Sequence, residues 1–358
     1  MRKLAKLKKS KLTKLISLTI ALILIIGCFA GCGKDTEDDT TTTAPETTEA
    51  TTLAPAPAKV NPLTGDPVYP EELIGNRTVL VSVENHPQAR PQWGIASADI
   101  VWEMLAEGGI TRMMCMFADA SRLPDKIGPV RSARHYFVEL AEGFDSILVH
   151  FGGSTYGYDS LSQQGTDHID GMSDSGFSRD KSRNVSSEHT AYTTKDDIIN
   201  NIDKKDFRTT VEDGKETPFK FNETAVALSG GACENVTVPF SSSYTYKYTY
   251  DAESKVYLST LNGNAFRDDN GTQQSFTNII IVYSTVTPLN DGKGRVTYDL
   301  SKGKGVYISN GTYENITWEK GDYTDIMKFY DADGNDLSLN AGRSYIALVP
   351  ADKTATIS

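Results

Sequence analysis

The chain has 358 residues and a formal net charge of −11, with 36 Lys and Arg against 47 Asp and Glu. An acidic surface repels phosphate polymers, so nucleic acid is excluded as an expected partner. Of its four cysteines, Cys28 and Cys32 lie near the start of the chain, and the other two, Cys115 and Cys233, are too few and too far apart for a disulfide framework or a zinc site.

The first residues have the pattern of an export signal. Seven basic residues and no acidic ones precede an apolar run at 15–30, namely Arg2, Lys3, Lys6, Lys8, Lys9, Lys11 and Lys14. The run is interrupted by Ser17 and Thr19 and is short for a permanent membrane span, which needs about 20 apolar residues. We therefore predict a cleaved signal peptide over residues 1–31.

The apolar run ends in a sequence similar to the lipobox of bacterial lipoproteins. Phe29-Ala30-Gly31-Cys32 places small residues before a cysteine, and Ile25-Ile26-Gly27-Cys28 offers an alternative. Cys32 is preferred because it leaves the longer apolar core and is followed at once by polar residues. The prediction is a lipid on Cys32 that anchors the chain in the bilayer, on the extracytoplasmic face of the cell membrane.

Residues 32–60 are rich in Thr, Pro, Ala, Glu and Asp and contain almost nothing that could be buried. Such a composition does not offset the entropy of ordering, so this segment is predicted to be a disordered tether. Removal of the seven basic residues leaves 29 Lys and Arg against 47 Asp and Glu, a net charge of −18 for the mature chain.

The remaining residues are numerous for one core and suggest two units. The first, 61–222, opens with turn residues at 61–65 and continues into a β-branched strand at 78–83. Residues 99–105 and 111–117 indicate either a strand pair or a strand after a short helix. Helical spacing predicts a helix over 132–141 with Ser132 as its cap, followed by a buried strand at 144–151.

The second unit, 223–358, consists of short alternating or β-branched runs at 243–250, 255–260, 278–283, 305–309 and 345–349. Hairpin dipeptides such as Asn262-Gly263 and Asn310-Gly311 separate them. The fold class is therefore α+β: a mixed α/β N-terminal domain followed by a mainly β C-terminal domain. Asp331-Ala332-Asp333-Gly334 is similar to a calcium loop, but its glycine is misplaced, which favours a plain turn.

Several motifs resemble the YerB-like bacterial lipoproteins, a family with a domain of unknown function in N- and C-terminal parts. The similar stretches in the first unit are 85–92 (NHPQARPQ), 98–103 (ADIVWE), 107–112 (EGGITR), 128–134 (GPVRSAR) and 150–154 (HFGGS). Looser likenesses occur at 264–268, 318–320 and 339–342. Where the family tends to end an Arg-rich segment in Pro-His-Asn, this chain has Glu188-His189-Thr190. The resemblance implies location and architecture but no reaction.

All five histidines and many arginines lie in the first unit, at strand ends and in Gly-rich turns. Arginine presents a planar fork that matches carboxylate or phosphate, so we predict an anion-binding cleft. Its expected residues are Asn85, His86, Arg90, Glu103, Glu107, Arg112, Arg131, Arg134, His150 and His189. The alternative is that these arginines form internal ion pairs with Glu84, Asp99, Glu103 and Glu107. The predicted ligand is an anionic cell-wall polymer or another envelope component.

Two other functions remain open. In an envelope hydrolase, Glu84, Glu103 and Glu107 would supply a carboxylate pair for glycan cleavage. Motifs of serine, cysteine and metal hydrolases are not recognisable, and catalytic residues stay unassigned. Gly152-Gly153-Ser154 is only faintly similar to a nucleophile turn. A metal on His86, His150 and His189 is a weaker idea, so neither metal nor cofactor is predicted.

The other function is a non-catalytic scaffold for an envelope protein. Tyr244, Tyr246, Tyr248 and Tyr250 share one face if 243–250 is a strand, and this face is either exposed for recognition or covered by the neighbouring unit. Cys115 and Cys233 could pair, although burial as two small apolar residues is the plainer interpretation.

Overall fold

A computed structural model describes residues 60–358. The predicted signal peptide, the two alternative lipidation sites Cys28 and Cys32, and the tether up to residue 59 lie outside the described residues. Within 60–358, no helix combines the length and the apolar character needed to cross a membrane.

The described residues contain three α-helices, five 3₁₀ helices and 22 strands. The α-helices are α1 (His135–Gly143), α2 (Thr155–Gln164) and α3 (Lys195–Lys204). The 3₁₀ helices are Glu71–Leu73, Pro87–Ala89, Ile95–Ser97, Ala120–Arg122 and Ser187–His189. The strands are β1 (Val79–Glu84), β2 (Ile100–Leu105), β3 (Thr111–Phe117), β4 (Ile147–His150), β5 (His168–Asp170), β6 (Phe177–Arg179), β7 (Ala191–Thr193), β8 (Lys220–Phe221), β9 (Asn235–Ser241), β10 (Tyr244–Asp251), β11 (Val256–Leu261), β12 (Asn264–Ala265), β13 (Ser275–Phe276), β14 (Asn278–Ser284), β15 (Val286–Pro288), β16 (Val296–Tyr298), β17 (Lys302–Ser309), β18 (Thr312–Glu319), β19 (Lys328–Tyr330), β20 (Ser338–Leu339), β21 (Ser344–Pro350) and β22 (Thr356–Ile357).

A ten-stranded mixed sheet forms the centre of the fold, in the order β19-β18-β17-β14-β21-β2-β3-β1-β4-β5. Strands β1, β4 and β5 are parallel to one another, and β2, β21 and β14 are likewise parallel. Because β3 is antiparallel to both β1 and β2, all six of these strands point the same way. Strands from both sides of residue 222 therefore build one sheet.

Both faces of this sheet are covered, which explains why its central strands are apolar along their whole length. Every residue of β1, β2, β3 and β21 is buried. On one face, Trp102 of β2 packs edge-on against Phe144 at the end of α1, with ring centroids 5.6 Å apart. On the other face lies a second sheet, and the fold is therefore layered as helix, sheet and sheet. This confirms the α+β class, with a mixed first part and a mostly β second part.

The second sheet is antiparallel, in the order β12-β11-β10-β9-β22 with β13 on β11. Its tyrosine face packs inward: the ring of Tyr248 lies 5.0 Å and that of Tyr246 6.0 Å from the ring of Tyr345 on β21. Tyr244, Tyr246 and Tyr248 are almost fully buried. The expectation of an exposed tyrosine face is therefore wrong, and the alternative of a covered face is right.

The segment 129–133 separates β1 from β4 at the carboxyl ends of these two strands. The strands pair directly over 79–81 and 147–149. Beyond this point Arg131 N donates to Ser82 O (2.8 Å) on one side, and Phe151 N donates to Arg131 O (3.1 Å) on the other. The segment thus continues the sheet for a few residues and places Arg131, Ser132 and Arg134 at its edge.

Most local predictions agree with the structure in kind, but the helix predicted over 132–141 is His135–Gly143 and the strand predicted at 144–151 is only Ile147–His150. The pair 99–105 and 111–117 is an antiparallel strand pair, and the turn at Asp331 is held by its own carboxylate, which accepts from the amides of Asp333 and Asn335. Ser132 is not a helix cap, because α1 begins at His135 with Arg134 at its N-cap. Its hydroxyl donates instead to Phe151 O (3.1 Å).

Candidate functional site

The predicted cleft residues lie at one edge of the ten-stranded sheet, where its parallel strands end. Glu84 and His150 are the last residues of β1 and β4, and Glu103 lies near the end of β2. Arg112 lies near the start of antiparallel β3, directly across from Glu84. In open sheets with parallel strands, ligands bind outside the carboxyl ends of the strands. We refer to this region as the carboxyl edge.

The first group at the carboxyl edge is centred on Glu84. Its Oε1 accepts from Arg131 Nε and its Oε2 lies on His189 Nδ1, both at 3.0 Å. The rings of His189 and His86 are stacked, 4.3 Å apart and inclined by 3°. Burial and the neighbouring His189 lower the pKa of His86 below its usual range. His189 therefore has a defined place beside Glu84 even though its Pro and Asn neighbours are missing from the sequence.

The second group is a buried polar network around Asn85. The Asn85 amide nitrogen lies within hydrogen-bond distance of Glu103 Oε1 (3.1 Å), Thr111 Oγ1 (2.8 Å) and Tyr246 Oη (2.7 Å), and its two N–H groups are shared among these oxygens. Arg90 closes the network from outside by donating to the Asn85 side-chain oxygen at 3.0 Å.

Glu103 is completely buried between the two sheets, and Tyr345 Oη donates to its Oε2 at 2.9 Å. Burial raises the pKa of Glu103 to about 7, against hydrogen bonds from Thr111 and the tyrosines that lower it. A carboxyl so enclosed cannot act on a glycan in this arrangement, because no substrate can reach it.

The third group places three guanidinium groups around Glu107. Arg134 makes a direct ion pair with Glu107, Arg112 lies at 3.5 Å and Arg295 at 4.0 Å. Arg295 is shared with Asp291 (3.2 Å). Burial, followed by the charge of Arg134, lowers the pKa of Arg112 to about 10.

The arginines at this third group are only partly satisfied. Arg112 donates one N–H to Ser132 O (2.8 Å), but its Nε is buried without an acceptor. Arginines therefore form ion pairs with both Glu84 and Glu107, as the alternative interpretation of the sequence predicted. Around Glu107, however, the guanidinium groups outnumber the carboxylates.

His150 belongs to a separate cluster at the same edge. It is fully buried, with its Nδ1 2.8 Å from Gly152 O and its Nε2 2.9 Å from His168 Nδ1. Burial lowers the pKa of His150 to about 4, so the ring is neutral at physiological pH. Asp170 fixes the adjoining turn by accepting from the amides of Gly152 (2.8 Å) and Met172 (2.9 Å).

The weaker catalytic and metal hypotheses find no support in residues 60–358. The Ser154 hydroxyl is buried and caps α2 by accepting from Gly157 N (2.9 Å). No group of three or more His, Cys, Asp or Glu is arranged to hold a metal within the described range. His86, His150 and His189 in particular are divided between two clusters. Cys115 and Cys233 are both free and buried, so they do not pair.

Sequence reasoning missed the residues that complete these groups. Arg295 comes from the β15–β16 hairpin, and Tyr246 and Tyr345 come from strands of the second part. Their contribution depends on long-range packing and has no local signal. Asp170 could have been found, because it ends a short strand next to the β4 turn.

Two family models match most of the described residues. The N-terminal domain of the protein of unknown function DUF3048 matches residues 63–208, and its C-terminal domain matches residues 236–346. The chain belongs to the DUF3048 family. These matches fall on either side of residue 222, and the shared sheet described above is thus a feature of a DUF3048 protein.

The chain is also similar to a Bacillus protein in both sequence and structure. The chain is 34% identical over 304 residues to YerB of Bacillus subtilis (strain 168), whose name describes it provisionally as a lipoprotein; the match covers 83% of this chain and 88% of YerB. The crystal structure of the YerB protein from Bacillus subtilis is similar, with a TM-score of 0.72, 33% identity, and coverage of 83% of this chain and 98% of that one.

Proposed function

We propose that this DUF3048 protein is a lipoprotein, anchored in the cell membrane by lipid on Cys32, that binds an anionic ligand of the cell envelope at the carboxyl edge. The lipobox-like sequence and the name of YerB support the anchor. A folded part outside the membrane would then meet wall polymers rather than cytoplasmic metabolites.

The observation that carries the binding proposal is the excess of guanidinium groups around Glu107. Three arginines share this carboxylate, and within residues 60–358 only Arg295 has a second carboxylate at ion-pair distance, that of Asp291. Glu107 is 28% exposed and Arg295 16%, so an anionic oxygen can approach this group from solvent, where the charge of the three guanidinium groups would attract it. Carboxylate and phosphate both match the arginine fork.

The test uses the soluble fragment from Asn61 to Ser358, since these residues belong to one compact unit. Calorimetric titrations with wall fragments, glycerol phosphate polymer and inorganic phosphate are expected to show binding, and a bound ligand raises the melting temperature. Arg134→Gln is expected to weaken binding at least about tenfold through loss of a charged hydrogen bond.

The matched control is Arg267→Gln, an exposed arginine that bonds only within its own hairpin. It is expected to bind like the wild type. Absence of binding to all three probes, or equal binding by the Arg134→Gln fragment, would contradict the proposal. Cleavage of wall fragments would point to the hydrolase instead.

A further inference from the structure

A second concave site lies at the opposite edge of the ten-stranded sheet. A cavity of about 650 Å³ is found where β2 and β21 begin, and its lining includes Asp66, Ala96, Asp99, Arg122, Ala341 and Arg343. This volume is within the range of small-molecule sites. The walls come from distant parts of the chain, joined by the bond from Gly342 N to Thr64 O (2.7 Å).

The charges that line this cavity are unequally compensated. Asp99 is fully engaged: it accepts from Asn61, from the amide of Ala118 and from Arg122 Nε and Nη2, at 2.8–3.1 Å. Arg122 uses one side of its fork in this pair, and its side chain is 33% exposed. Nη1 of Arg122 makes no hydrogen bond within residues 60–358 and remains available to a ligand.

Arg343 is the cation of the site that lacks a direct ion pair. It donates to the carbonyls of Ile95 (2.9 Å), Ala98 (2.7 Å) and Ser275 (3.0 Å). In the described part of the chain no carboxylate lies within ion-pair distance of it. Burial lowers the pKa of Arg343 to about 10, although the charges of Asp268 and Asp99 partly oppose this effect. A buried cation without a direct ion pair is unfavourable, so a bound anion would stabilise it.

Asp66 is the uncompensated anion. Its Oδ1 accepts from the amide of Val68 (2.9 Å), and no cationic side chain in 60–358 forms an ion pair with it. The four charged side chains of the lining sum to zero, which disfavours a polyanion and suits a ligand that carries one charge of each sign.

We propose that this cavity binds a small zwitterion, an amino acid or short peptide, with its carboxylate at Arg343 and Arg122 and its ammonium at Asp66. The site is independent of the carboxyl edge and does not rest on the anion-binding function proposed there.

The experiment is an NMR titration of the ¹⁵N-labelled Asn61–Ser358 fragment with a panel of free-acid dipeptides. We expect shifts of the Ala96, Ser97 and Gly342 amides, and none at Gly108 and Gly109 on the opposite edge. The C-terminal amide and the N-acetyl form of each binding peptide keep its size and remove one charge. Each is expected to bind about tenfold more weakly, since each loses a charged contact.

Ala341→Trp should fill the cavity mouth and abolish these shifts, because Ala341 is exposed in its lining. Ala351→Trp, at an exposed alanine of a different cavity, is the control and should leave them unchanged. No shift with any dipeptide at concentrations on the order of 10 mM would overturn the proposal. So would equal affinity for acid and amide, or tighter binding of inorganic phosphate at the same amides.

Discussion

Asn85 and Glu103 show how a polar group can be kept in the interior of this protein. The two N–H groups of the Asn85 amide are surrounded by three oxygens from three different strands, and the Glu103 carboxyl has a neighbouring donor at each oxygen. A buried polar network of this kind is stabilising only when its members are satisfied. The free-energy cost of burying this network therefore depends mainly on whether the carboxyl of Glu103 is ionised.

Glu103→Gln is expected to remove a pH dependence of stability. The folded protein holds the pKa of Glu103 at about 7, above the ordinary value of 4.5. Between these values the unfolded chain ionises and the folded one does not, so the free energy of unfolding falls as pH rises. Relative to the variant, the free energy of unfolding of the wild type should fall by about 3 kcal/mol between pH 4.5 and 7, and the difference should level off at higher pH.

Urea unfolding of both proteins across pH 4–8 measures this difference, with Glu253→Gln on an exposed turn as the control. A wild-type-minus-variant difference that stays constant with pH would show that Glu103 does not titrate as the structure implies.

Arg77 makes a different residue-scale case, a buried cation with several partners. Its side chain is 4% exposed and contacts Asp145 Oδ1 (3.2 Å), Asp167, and the carbonyls of Asp145 (2.7 Å) and Arg208 (3.0 Å). Arg77→Ala is expected to lower the free energy of unfolding by about 2–3 kcal/mol, because two carbonyls and Asp167 lose a charged donor, while Asp145 keeps its pair with Arg208.

The exposed pair Lys220–Asp336 provides the comparison for Arg77. It is 2.7 Å apart, but both side chains are more than half exposed. Lys220→Ala should cost less than about 1 kcal/mol by the same denaturant titration. Equal losses for the two variants would mean that burial does not strengthen the Arg77 pairs.

At the scale of elements, the segment 129–133 depends on Gly128. The φ of Gly128 is +150°, and a Cβ there would lie 2.7 Å from Ala191 O and 2.9 Å from Val130 N. These contacts are with backbone atoms, which cannot move aside cheaply. Gly128→Ala is expected to cost roughly 2–5 kcal/mol from backbone strain and overpacking.

Gly334→Ala separates the two causes, since Gly334 has a φ of +84° but nothing within 4 Å of the added Cβ. It should cost only about 1 kcal/mol. If the two variants unfold at the same urea concentration, steric contact at Gly128 is not what holds the segment in place.

Elements also show what a sequence can and cannot specify here. The apolar runs at 278–283 and 345–349 are strands β14 and β21, because a short continuous apolar run is typical of a strand buried on both faces. Many of the predicted site residues lie together at the carboxyl edge, because their positions in the sequence are at the ends of strands. The pairings of Glu84 with His189 and of Glu107 with Arg295 could not be predicted, since they join loops whose meeting depends on the strand order.

At the scale of the whole molecule, β21 lies between β2 and β14 and hydrogen-bonds both. The two halves therefore share main-chain bonds across the middle of one sheet. We expect the Asn61–Ser358 fragment to unfold in a single transition, because opening either half would expose an unpaired central strand.

Separate fragments 61–222 and 223–358 are the matching test. Each is expected to lack the amide dispersion of a folded protein in NMR spectra, and mixing them should restore it. A well-dispersed spectrum from either fragment alone would show that the shared sheet is not required for folding.

The central position of β21 also sets the order in which the protein can mature. The carboxyl of Glu103 accepts a hydrogen bond from the hydroxyl of Tyr345, which follows 242 residues later in the chain. As the polypeptide emerges, β2 has only β3 beside it until β21 is released. For the exported lipoprotein proposed above, which would have to stay unfolded while it crosses a membrane, a sheet whose middle strand follows so late would delay its own closure during the passage.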